Sequence, residues 1–165
     1  MKQFDVKSEK TISGNKYYIR PLPAFKCANL SGELASLAMP IIPAVAPLLG
    51  NGVSKTQDIN LLDIDAETVA PVIANGLSGI SGDKIESLLK KLLSTYGNVS
   101  VELEGSREVQ VLTDDLANEV FCGDVQDMFI LAIEVIKVNY AGFFRKLGSQ
   151  FGGVFDALLK RATPS

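Results

Sequence analysis

The chain has 165 residues, 47% of them hydrophobic, and a net charge of −3. That suits a single packed domain over residues 1–165 and rules out wholesale disorder. It has no histidine and only two cysteines, Cys27 and Cys122, which excludes Ser-His-Asp and Cys-His nucleophile systems, imidazole proton shuttles, and His-containing or Cys₄ zinc sites.

The charge is segregated. Residues 1–26 carry six bases and two acids, residues 58–134 carry four bases and fifteen acids, and residues 135–165 carry five bases and one acid. An acidic middle argues against a nucleic-acid groove. Basic ends and an acidic middle can pair within one chain or between copies, so a homo-oligomer that loosens with salt is expected.

In chain order, residues 2–20 alternate as a hairpin does. Phe4, Val6 and Ile12 precede a Ser13-Gly14-Asn15 turn, and Tyr17, Tyr18 and Ile19 follow it. Arg20-Pro21-Leu22-Pro23 ends the second strand, because proline has no N–H for the ladder. Ala24 to Leu37 reads as a helix with Phe25, Ala28, Leu30, Leu34 and Leu37 on or near one face. Leu34 to Ser54 carries no charge, which raises a membrane span. Pro40, Pro43 and Pro47 argue against it, and an apolar, partly irregular segment is expected there instead. Residues 50–60, with Gly50-Asn51-Gly52, read as an exposed, mobile loop.

Asp65 to Leu77 reads as a helix capped by Asp65, with Glu67 in its first turn. Ser81 opens another helix to about Tyr96, with Ile85, Leu88, Leu89 and Leu92 inward and Lys90 and Lys91 outward. Val99–Leu103 and Val109–Leu112 flank Glu104-Gly105-Ser106-Arg107 as a second hairpin. Thr113-Asp114-Asp115 caps a short helix ending near Gly123. Asp124 opens the longest helix, to about Leu147, apolar over most of its circumference, with Phe129 and Ile133 assigned to the core. Residues 148–165, broken by Gly148, Gly152 and Gly153, read as a detachable amphipathic tail. The expected class is therefore α+β, mostly helical, with a long apolar C-terminal helix and two small β-hairpins.

Candidate chemistry is sparse. Asp63-Ile64-Asp65-Ala66-Glu67 alternates like a calcium loop but lacks the glycine at its sixth position, so helix capping explains it better. Gly148-Ser149-Gln150-Phe151-Gly152-Gly153 is not followed by the Lys-Ser or Lys-Thr of a phosphate loop. No enzymatic activity, metal or cofactor is expected, and both cysteines are read as free thiols in a reducing cytoplasm. Six of the eight phenylalanines fall within residues 121–155. Those beyond the first part of the long helix suit helix-in-groove recognition, so Phe143, Phe144, Phe151, Phe155 and Leu158 are the candidate partner-binding residues.

Two stretches carry a resemblance: Phe121-Cys122-Gly123-Asp124-Val125-Gln126-Asp127-Met128-Phe129, and Val135-Ile136-Lys137-Val138-Asn139-Tyr140-Ala141-Gly142-Phe143-Phe144. With Ile19-Arg20-Pro21-Leu22-Pro23-Ala24-Phe25-Lys26, they resemble the tail assembly chaperones of long-tailed bacteriophages and prophages. The resemblance implies a protein that binds and shields the aggregation-prone tape-measure protein in the host cytoplasm. It also implies that tail tube subunits are recruited, through a frameshifted longer product. The rival readings are a structural tail accessory retained in the virion and a membrane-active protein acting through residues 34–49.

Overall fold

The computed structural model describes residues 5–50 and 65–140, with 38–50, 69 and 73 as backbone only. β1 (Ser8–Ile12) and β2 (Asn15–Ile19) form the first hairpin, with Ile12 opposite Asn15. Its two-residue loop has φ of +46° at Ser13 and +84° at Gly14. Two consecutive left-handed residues make the turn whose twist matches that of the strands it joins. Glycine suits the second position because φ there is in the left-handed region; the carboxylate end of the exposed Glu104 side chain lies against it and could swing away from a Cβ.

β3 (Val99–Glu102) and β4 (Val109–Val111) form the second hairpin. The hairpins do not stand apart. β2 pairs antiparallel with β3, setting Tyr17 opposite Val101 and Ile19 opposite Val99. The result is one four-stranded sheet in the order β1-β2-β3-β4. Alternation sends Tyr17, Ile19, Val99 and Val101 inward, where all four are buried. Glu102 lies on the opposite face, as its strand phase predicts, but it is half-buried and accepts a hydrogen bond from the Tyr18 hydroxyl at 2.8 Å.

The helices enter between the hairpins and after them. α1 spans Ala24–Gly50, which corrects the expectation of an irregular segment after Leu37. Each proline removes one N–H bond to the carbonyl four residues back. Pro40, Pro43 and Pro47 are spaced by three and four, so the losses fall on one side and the ladder continues on the other. No helix among the described residues is long and apolar enough to cross a membrane. The buried positions of α1 also differ from expectation. Leu30 and Leu37 are buried and Cys27 and Leu34 pack against the core, whereas Phe25 is 91% exposed and Ala28 is exposed.

α2 (Ala66–Gly76) begins at the predicted cap: Asp65 accepts from the Glu67 N–H at 3.4 Å and the Thr68 hydroxyl at 3.3 Å. A 3₁₀ turn, Leu77–Gly79, leads to α3 (Gly82–Leu93). Lys90 pairs with Glu86 one turn back, at 2.6 Å. Lys91, expected to point outward, is half-buried and ties α3 to α1 through Glu33 at 2.5 Å. Asn98 fastens the end of α3 to β3 by donating to the Leu92 carbonyl at 2.8 Å.

α4 (Asp114–Val120) is capped by Thr113, whose hydroxyl accepts from the Leu116 N–H at 3.2 Å. The chain breaks at Phe121 and Gly123, where φ is +88°, and residues 125–140 form α5. The expected continuation of this helix to Leu147 lies outside the described residues. Ile130, Leu131, Ala132, Val135 and Tyr140 join the inner face of the sheet in one core, and the Phe121 ring stacks on Tyr17 at 6.0 Å. Phe129 and Ile133, assigned to the core from sequence, are half-buried and pack against its margin.

The buried tyrosines predict an alkaline limit to stability. Burial pushes the Tyr17 phenol up to about 12 and raises that of Tyr140 as well. An unfolded tyrosine ionises near pH ~10. Above that pH the unfolded chain has released protons that the folded chain still holds. The stabilisation is therefore complete below pH ~10 and falls as pH rises toward 12. Thermal melting followed from pH 9 to 12 should show that decline. Tyr17→Phe should flatten it, and an equally steep decline in that variant would rule out Tyr17 as a source.

Candidate partner-binding surface

The junction between β2 and α1 is built from a shortage of backbone donors. Pro21 and Pro23 have no N–H, so Leu22 holds the one donor in that stretch. Its N–H donates to Asn139 Oδ1 at 2.6 Å. Asn139 is itself oriented from behind, because its Nδ2 donates to the Val135 carbonyl at 2.8 Å. One residue on, the Tyr140 hydroxyl donates to the Cys27 carbonyl at 2.6 Å, and the Cys27 thiol lies 3.9 Å from the Asn139 carbonyl oxygen. The Asn-Tyr pair of α5 thus clamps the first turn of α1. Leu22 of the stretch 19–26 and Asn139 of the stretch beginning at Val135, singled out separately in the sequence, meet at this point.

Beside the clamp is a shallow, mainly apolar groove of about 470 Å³, lined by residues including Pro21, Leu22, Ala24, Ala28, Val138 and Tyr140. Phe25 stands in the same first turn of α1, almost fully exposed. On the same side of the helix, Ala28, Gly32 and Ala35 are exposed at spacings of three and four. Nothing lies within 4 Å of where a Gly32 Cβ would be. α1 therefore has a core face and a solvent face, and the solvent face carries Phe25, Ala28, Gly32 and Ala35 together with the exposed polar residues Asn29 and Ser36. The signal in the sequence is phase: at about 100° per residue, Phe25 sits about half a turn from Leu34.

Phe143, Phe144, Phe151, Phe155 and Leu158 lie outside the described residues, as do the tail expected at 148–165 and all but Gly50 of the loop expected at 50–60. Both cysteines are free thiols, Cys27 half-buried and Cys122 exposed. Among the described residues, no three His, Cys, Asp or Glu side chains converge to hold a metal ion.

The class these elements define is α+β: a four-stranded antiparallel sheet packed with helices, with the aromatic ring of Phe25 turned to solvent on α1. Within that class the chain belongs to the phage tail assembly chaperone family, whose model matches residues 13–153, and its role lies in the assembly of phage tails. The match spans all three stretches that carried the resemblance. Neither the curated proteins nor the solved structures contain a significant match to this chain.

Proposed function

We propose that this protein binds and shields the tape-measure protein in the host cytoplasm and helps recruit tail tube subunits, without catalysis, metal or cofactor. The observation that carries the reading is Phe25, 91% exposed beside an apolar groove, on a chain of the tail assembly chaperone family. An exposed aromatic next to a helix-lined depression fits the apolar stripe of a long helical partner. Shielding such a stripe needs burial of apolar surface and no covalent step. Phe143, Phe144, Phe151, Phe155 and Leu158 extend the proposed contact set, and copies of the chain associate with one another.

The test is co-purification of a coexpressed tape-measure fragment. Phe25→Ala should leave thermal melting almost unchanged, because little buried area is lost, and should weaken capture by about 1–2 kcal/mol. Phe151→Ala with Phe155→Ala should also weaken it. Full capture by all of these variants would remove both surfaces from the contact.

A further inference from the structure

We propose that β4 is a self-pairing edge, through which two copies of this chain join antiparallel into one continuous sheet. β4 is the last strand of the sheet, and all three of its residues are exposed. Its pairing to β3 shows which groups remain open. Gln110 lies opposite Val101, and the Leu112 N–H donates to the Val99 carbonyl at 2.9 Å. In an antiparallel ladder, alternate residues face the same neighbour. Gln110 and Leu112 therefore face β3, and Val109 and Val111 turn their N–H and C=O groups outward.

The two sheet edges are built differently. β1 carries Glu9 and Lys10, engaged with Lys16 and Glu67 at 3.0 Å each, and charge is the usual way an edge is protected from a second chain. β4 reads Val-Gln-Val, with no charge, proline or bulge. Val109 is 50% and Val111 48% exposed, on the same face.

A second copy fits this edge better than an arbitrary extended chain, because β4 is complementary to itself. Antiparallel pairing centred on Gln110 sets Val109 against Val111 of the second copy, and Val111 against its Val109. Both outward N–H and C=O pairs are then satisfied, and two cross-strand valine contacts cover the exposed side chains. The same register brings Arg107 opposite Thr113 of the second copy, next to its Asp114 and Asp115. Neither Arg107 nor Asp115 has an ion-pair partner among the described residues. The symmetry repeats the contact, giving two such charge pairs.

The inference rests on the self-association proposed above and assigns it a surface. Sedimentation of the full chain at low salt, with amide exchange at β4, tests it. Dimers should form as concentration rises, and the Val109 and Val111 amides should become protected in step. Val109→Lys with Val111→Lys should weaken the dimer by about tenfold or more. Arg107→Asp and Asp115→Arg should each weaken it, and the double swap should restore it. An oligomer indifferent to these variants would overturn the β4 assignment and leave self-association standing. A strict monomer at low salt would overturn both. Protection at Val109 and Val111 that follows an added partner rather than the chain's own concentration would also overturn self-pairing.

Discussion

Leu131→Ala should cost about 2–5 kcal/mol of stability, the range for a leucine truncated where neighbours cannot close the gap. Leu131 is fully buried on α5, with Ile130 and Ala132 buried beside it and Val135 buried one turn on. Its cluster includes Tyr17, Ile19, Val99 and Val101 from the sheet. Truncation there leaves a void between helix and sheet as well as removing apolar burial. A domain is typically stable by about 5–15 kcal/mol, so this one change should remove a large fraction. Phe129→Ala should cost less, because Phe129 is half-buried at the margin of the same core. Denaturant unfolding of the two variants checks the order. Equal losses, or a larger loss at Phe129, would mean that Leu131 is not the point where α5 is anchored.

Asn139→Ala should cost about 1–3 kcal/mol and loosen the start of α1 before the rest of the fold. Leu22 is 5% exposed, and its N–H donates to Asn139 Oδ1. Removing the acceptor strands a donor in a buried segment, and the penalty is that of desolvating it without return. The prolines on either side offer no donor to share the adjustment. The expected signature is local. The Leu22 amide should exchange faster, and melting should fall. If the Leu22 amide stays protected and the variant melts as the parent does, Asn139 is not the clamp between α5 and α1.

Much of the local structure was legible before any fold was known, because it depends on neighbours in the chain. Ser13-Gly14, Asp65, Thr113 and Gly123 form the turn, caps and stop that their residue types predict, and each acts there through contacts within a few residues. Proline spacing misled at 40–47, where a strong local rule met a helix that lost its bonds along one side and kept the rest. Phe25 misled for a different reason. Its apolar side chain suggests the core, whereas its phase, about half a turn from Leu34, sets it on the opposite face of α1.

The sequence by itself determined the α+β class, the strand and helix order, and the segments that carry the family pattern. Periodicity, capping and turn chemistry act over a few residues and need no tertiary context. Tertiary structure alone decided that the two hairpins share one sheet, that Asn139 holds Leu22, that Lys91 reaches Glu33, and that β4 rather than β1 is the uncharged edge. Those outcomes join residues separated by 58 to 117 positions, or depend on which strand ends up outermost. Long-range pairing follows from how the whole chain buries its apolar surface, and no window along the sequence contains that information.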